Sequence, residues 1–278
     1  MEHKNLLLLK SVVKDKLNPI LIQEQKSSFT LDFVFDYVKS ICCGQQALFC
    51  DKCEVCHKIN QKNYFDIKFI DAYANLVSKE EVVEIINNFA FSSLEKYGYK
   101  FLIIYGIEQV NKFIANSLLK NIETPFKNTF YIFTTRNPYA IINTIRSRCF
   151  LIRVAKETQR FKQTLIAHKI EAKYLDFFVN NFFGINQVLE FYQSANFEKF
   201  WNLFKVLTSN STNAYEFLVQ QKSFKTFSYQ EIFYFLDLIS ESVSETKKTN
   251  LFNLQNNLKY NINKTLIFNQ ILDLFNYE

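Results

Sequence analysis

Residues 111–149 read NKFIANSLLKNIETPFKNTFYIFTTRNPYAIINTIRSRC, and this stretch decides the fold class. Ile114, Leu118 and Ile122 recur at four-residue spacing with Leu119 beside them, which gives a helix one apolar face. Thr124-Pro125 stops that helix, because proline has no amide to offer the next turn. Phe130-Tyr131-Ile132-Phe133 is predicted as a strand, left through the polar turn Thr134-Thr135-Arg136-Asn137-Pro138. Ser147-Arg148-Cys149 follows, ahead of the apolar run Phe150-Leu151-Ile152.

Working outward, the same alternation of strand and helix continues. Pro19-Ile20-Leu21-Ile22-Gln23 is predicted as a buried strand, Phe33 to Ser40 as a helix with Phe33, Tyr37 and Val38 on one face, and Lys68 to Ile70 as a short strand. Ser78 with Glu81 three residues on marks a helix start, whose stripe is Val82, Ile85, Ile86 and Phe89. Phe101 to Tyr105 is a continuous apolar run, as a central parallel strand requires. Beyond Val154 the pattern turns helical, with stripes Ile232, Phe235, Leu236, Ile239, Val243 and Leu266, Ile267, Ile271, Leu274, Phe275.

The chain has 278 residues, long enough for two or three domains. Its 31 Phe against four Gly and three Pro imply mostly regular structure. A net charge of +6 permits contact with nucleic acid without demanding it, since no long Lys/Arg block concentrates the charge. Leu6 to Leu9 is too short for a signal peptide or a membrane span, so a cytoplasmic protein is expected, with no membrane partner. In that reducing setting clustered cysteines point to metal rather than to disulfides. Cys50, Cys53 and Cys56, with Cys42 and Cys43 upstream, suit a tetrahedral zinc. Four protein ligands leave no open position for water, so such a metal is structural.

Asn116-Ser117-Leu118-Leu119-Lys120, Ile122-Glu123-Thr124-Pro125, Thr134 to Pro138 and Ser147-Arg148-Cys149 stand in one order and register. That series resembles the bacterial clamp-loader AAA+ family of DNA polymerase III, and within it the delta-prime type, across roughly the first 155 residues. The resemblance implies an α/β plus all-α protein: a RecA-like AAA+ parallel sheet over 1–155 with an inserted zinc module at about 42–57, a small helical lid over 156–200 and a helical collar over 201–278. The family spaces its upstream cysteine eight residues from CxxCxxC. Cys42 leaves seven and Cys43 six, so Cys42, Cys50, Cys53 and Cys56 are the expected zinc ligands, and His57 is expected to face outward.

ATP-hydrolysing members need GxxxxGK[ST] after the first strand, where glycines let backbone amides cradle phosphate. Here the strand continues Glu24-Gln25-Lys26-Ser27-Ser28-Phe29-Thr30, and none of Gly44, Gly98, Gly106 and Gly184 precedes a lysine. In family register the acids that hold magnesium and orient water fall on Gly106 and Ile107, with Glu108 one residue late; the lid's sensor arginine falls on Gln187. No ATP binding or hydrolysis is expected. Arg148, by contrast, matches the family's arginine finger, a planar cation projected into a neighbour's ATP site.

The resemblance therefore implies an accessory subunit, not an enzyme by itself, of the DNA polymerase III complex. It acts as stator beside ATP-hydrolysing tau/gamma subunits and the delta subunit while the sliding clamp is loaded onto primed DNA. Two alternatives are an ATP-hydrolysing tau/gamma-type subunit and a zinc-ribbon nucleic-acid binder. The second has only Lys52, Lys58 and Lys62 as flanking cations and no aromatic stacking platform.

Overall fold

A computed structural model describes residues 3–14, 16–44, 48–75, 77–208, 221–240, 243, 245–258 and 263–276. These group into two units, Met1–Gln163 and Thr164–Glu278.

In the first unit five strands alternate with helices. They are β1 (Ile20–Gln23), β2 (Ile67–Asp71), β3 (Lys100–Tyr105), β4 (Thr129–Thr135) and β5 (Phe150–Arg153). The order is β2-β3-β4-β1-β5, and every pairing is parallel. The four expected strands are all present, and the apolar run at Phe150-Leu151-Ile152 forms the fifth. The central three are buried along nearly their whole length, which explains their unbroken apolar runs.

Side chains alternate across the sheet with period two. Ile20 and Ile22 join Phe101, Ile103, Phe130 and Ile132 on one face. There they meet Leu9 and Val12 of α1 (His3–Lys14), Val34 and Val38 of α2 (Thr30–Cys42) and Val55 and Ile59 of α3 (Glu54–Asn60). Leu21, Leu102, Ile104, Tyr131 and Phe133 line the other face. They pack on Val82 and Ile86 of α4 (Lys79–Asn88), Ile114, Leu118 and Ile122 of α5 (Lys112–Glu123) and Ile145 of α6 (Asn143–Arg146). The Ser78 hydroxyl accepts from the Glu81 amide at 3.1 Å, so the sequence's helix-start signal is a working cap. This three-layer arrangement puts the carboxyl ends of β1, β3 and β4 side by side, the usual ligand position in an open parallel sheet.

The boundary between units falls within α7 (Thr158–Ala167). The second unit continues with α8 (Leu175–Asn181), α9 (Ile185–Tyr192), α10 (Phe197–Thr208), α11 (Tyr229–Ser240), α12 (Glu245–Asn257) and α13 (Lys264–Asn276). Its core is aromatic. Phe177, Phe178, Phe182, Phe191, Phe197 and Phe200 are buried together, and Phe182 meets Tyr234 at 4.4 Å while Phe200 meets Phe235 at 5.3 Å. Rings on both sides of residue 200, where lid was expected to give way to collar, share this core. Residues 209–220 of the expected collar lie outside the described residues. Ile232, Phe235, Leu236 and Ile239 form the expected buried stripe. Leu266 departs from its stripe and is 56% exposed, because one residue before buried Ile267 it stands about 100° away round the helix. No helix among the described residues is long and apolar enough to cross a membrane.

Candidate functional site

The crevice at the strand ends is filled by the chain's own polar side chains. Glu24, immediately after β1, is 3% exposed. Its carboxylate accepts from the Thr134 hydroxyl at 3.0 Å and the Tyr105 hydroxyl at 3.1 Å, and lies 3.7 Å from the Arg136 Nε. The Arg136 guanidinium also covers the Tyr73 ring at 3.8 Å. Tyr73 donates at 2.7 Å to Glu108, whose same oxygen accepts from the Arg136 amide at 2.9 Å. Burial pushes the Glu24 carboxyl above its ordinary value, outweighing the pull of Arg136 and the two hydroxyl donors. Burial, with Glu24 adjacent, raises the Tyr73 and Tyr105 phenols as well.

The positions expected to lack nucleotide chemistry are where this network forms. Gly106 has φ +87, and a Cβ there would stand 2.8 Å from the Tyr73 ring. Glu108 is tied to Tyr73 and Arg136, leaving one buried carboxylate oxygen without a hydrogen-bond partner. Ser27 takes φ +58, and its carbonyl accepts from the Glu157 amide at 2.9 Å. Arg160 stacks on Phe29 at 3.8 Å and pairs with Asp32 at 2.6 Å, covering the start of α2. Sequence reading singled out Glu24 and Glu108 separately. It missed Arg136 and Tyr73, because the partners come from positions far apart in the chain.

The cysteine cluster corrects one expected ligand. Cys43, Cys50, Cys53 and Cys56, not Cys42, hold their sulfurs within 4.8 Å of one another. Cys42 is the last residue of α2 and continues the buried stripe of Val34 and Val38. Its thiol donates to the Tyr64 hydroxyl at 3.8 Å, and burial pushes it up to about 12. Cys43 follows the helix end in extended backbone, which swings its side chain to the cluster. Helix phase, rather than residue count, held the signal: Cys42 is four residues beyond Val38.

The donor set fits a tetrahedral metal. Cys43 Sγ lies 3.7 Å from Cys50 Sγ and 4.0 Å from Cys53 Sγ, against about 3.8 Å between sulfurs around a zinc with bonds of about 2.3 Å. The Cys53 amide donates to Cys50 Sγ at 3.3 Å, favouring its thiolate, and the Cys56 amide donates to Cys53 Sγ at 3.5 Å. Lys39, almost fully buried, secures the loop by pairing with Asp51 at 2.7 Å and Asp36 at 2.8 Å. His57 is exposed on α3, as expected. These four thiols could hold a metal such as zinc.

Arg148 stands in an exposed turn after the single turn of α6. Its Nε and Nη2 both face Glu123 Oε1 at 2.5 Å, and its Nη1 donates to the Thr144 carbonyl at 2.9 Å. Arg146 instead folds onto its own loop, donating to Asn143 at 2.8 Å with its guanidinium 5.6 Å from the Tyr139 ring. Cys149 packs beside the core on the α5 side of the sheet, where burial raises its thiol to about 12.

Comparison with known proteins agrees with this architecture. The family described as DNA polymerase III, delta subunit, matches residues 3–158. The delta' subunit of DNA polymerase III from Bacillus subtilis is 26% identical over 235 residues, covering 81% of this chain and 71% of that protein. An uncharacterized protein of Mycoplasma pneumoniae is 25% identical over 258 residues, covering 91% and 97%. A solved DNA polymerase III gamma subunit-related protein from Thermotoga maritima shares the fold at TM-score 0.62 and 16% identity, covering 96% of this chain and 98% of its own. The parallel sheet, the motif series and the matched span together make this chain a member of the DNA polymerase III delta-subunit family, and so of the clamp-loader proteins.

Proposed function

We propose that this chain is the non-hydrolysing, delta-prime-type subunit of a clamp loader. It holds its place as stator beside ATP-hydrolysing tau/gamma-type subunits and a delta subunit, and offers Arg148 to the ATP site of a neighbour. The assembly then places a sliding clamp on primed DNA. On this reading residues 156–200 serve as lid and 201–278 as collar, while Cys43, Cys50, Cys53 and Cys56 hold a structural zinc that stiffens the loop after α2.

The observation that carries this reading is the filled crevice. A nucleotide at the ends of β1, β3 and β4 needs amides and a cation facing its phosphates and acids to hold magnesium. Glu24 presents a buried anion there instead, and Arg136 is already engaged with Glu24 and Tyr73. Arg148 is paired with Glu123 and the Thr144 carbonyl, yet its residue stays exposed and part of its guanidinium edge faces outward. A planar cation so placed neutralises charge developing on a phosphoryl group in transfer.

The test is ATP turnover by the reconstituted clamp loader, carrying this chain as wild type or as Arg148→Ala, beside nucleotide binding by the chain alone. The expected result is no binding alone and a loss on the order of 10³-fold in kcat at the one ATP site Arg148 serves. Full turnover by the variant, or tight magnesium-dependent ATP binding by the isolated chain, overturns the reading.

A further inference from the structure

Among the groups around Arg148, Glu123 has no role in the reading above, yet it is the side chain that fixes the guanidinium. Glu123 is the last residue of α5, and Thr124-Pro125 ends the helix there, so its backbone position is set by a stop the helix cannot run past. α5 itself is anchored by Ile114, Leu118 and Ile122, all buried. Its carboxylate takes the Nε and Nη2 edge of Arg148 at 2.5 Å, and the Thr144 carbonyl takes Nη1 at 2.9 Å.

A guanidinium carries five N–H groups in one plane: one on Nε and two on each terminal nitrogen. Nε and Nη1 each donate one, and Nη2 lies in ion-pair contact with Glu123, so at least one N–H on Nη1 and one on Nη2 have no partner among the described residues. An arginine free in solvent spreads over many rotamers, and ordering it on binding costs conformational entropy. Held from two sides, Arg148 keeps one plane and presents its remaining donors outward before any ligand arrives. Glu123 lies beside the helix end, whose carbonyls also favour a nearby cation.

We infer that Glu123 is the positioning residue of the arginine finger, orienting Arg148 so that its two remaining N–H groups meet the oxygens of a phosphoryl group on a neighbouring subunit. This rests on the trans-finger reading of Arg148. It assigns to the acid of Ile122-Glu123-Thr124-Pro125 a part in phosphoryl transfer at a site 25 residues before the arginine it serves.

The experiment is ATP turnover by the reconstituted clamp loader with Arg148→Ala, Glu123→Ala, Glu123→Gln or Glu123→Lys in this chain, kcat and KM read separately, with a melting curve for each chain. Because a misplacement of about 1 Å costs on the order of 10²-fold, Glu123→Ala should lower kcat at the served site by tenfold or more and leave KM for ATP unchanged. Glu123→Gln keeps an acceptor oxygen for Nε and should restore most of the loss, while Glu123→Lys repels the guanidinium and should lose at least as much as alanine. Melting temperatures should hardly move, since exposed ion pairs contribute little. Wild-type kcat in Glu123→Ala and Glu123→Lys with a low Arg148→Ala overturns the positioning role and leaves the finger standing. A raised kcat in Glu123→Ala overturns it too, since Glu123 would then restrain the arginine. Wild-type kcat in Arg148→Ala removes the finger itself.

Discussion

The crevice at the strand ends and the cysteine loop beside α2 both gather polar side chains against the same sheet, and they complete themselves in opposite ways. Glu24, Arg136, Tyr73, Tyr105, Thr134 and Glu108 bring an acid, a cation and hydroxyl donors of matched kinds, so the group is nearly satisfied from within. Such a network has little left for a ligand to meet. Cys43, Cys50, Cys53 and Cys56 bring four copies of one weak donor, which as thiolates repel one another. A group like that is incomplete until a cation joins it. What separates a ligand site from a structural cluster is thus the balance of donors and acceptors, not the number of polar side chains.

Three experiments would break or sharpen this contrast. The largest effect should come from the cysteines. Structural zinc in small domains contributes on the order of 10–16 kcal/mol of apparent binding free energy, and on the proposed zinc reading part of that should appear as folding stability. Cys53→Ser or Cys43→Ser should lose the bound metal, read as metal per chain by elemental analysis, with melting falling alongside. Cys42→Ser should keep one metal per chain and cost about 1–3 kcal/mol for a hydroxyl buried in place of a thiol. Metal retained by Cys43→Ser but lost from Cys42→Ser would reverse the assignment made from geometry.

Next comes the crevice. Arg136→Met leaves Glu24 buried without its cation and should cost about 3–5 kcal/mol in urea unfolding, with metal content unchanged. A neutral result would mean that the network is not internally balanced.

The smallest effect is one of pH. Burial raises the Glu24 carboxyl in the folded chain, so the folded state binds its proton more tightly than the unfolded state does. Its contribution to stability is therefore full below the ordinary value of 4.5 and is lost as pH rises through the higher folded value. Glu24→Gln does not titrate, so its urea midpoint should fall less than the wild type's as pH is raised from acid towards neutral. Parallel curves for the two proteins would remove Glu24 as the source.

Much of the fold was legible because burial leaves a period. The apolar runs at 101–105 and 130–133 could only be central strands, and Ile114, Leu118 and Ile122 could only be a helix face. The cysteine cluster was legible as chemistry and misread by one residue. Counting intervening positions ignores helix phase, and it is phase that sends Cys42 to Tyr64 and frees Cys43. The crevice was legible only as a set of missing residues. Its filling joins positions 24, 73, 105, 108, 134 and 136, which meet because β2, β3, β4 and β1 stand side by side in that order, and strand order leaves no local trace. Arg148 stood out through its motif, whereas its contact with Glu123 depends on where α5 ends relative to α6.

Gly106 bears on how such a subunit changes over evolutionary time. An aspartate at this position would need a backbone angle that side chains rarely adopt and would push into the Tyr73 ring. Shrinking Tyr73 to make room strips Glu108 of a donor and Arg136 of its stacking face. Each single step toward an acid at the strand end is therefore harmful on its own, and several must occur together. Gly106 is thus tied through Tyr73 to Glu108 and Arg136, and the filled crevice resists piecemeal change at any one of these positions.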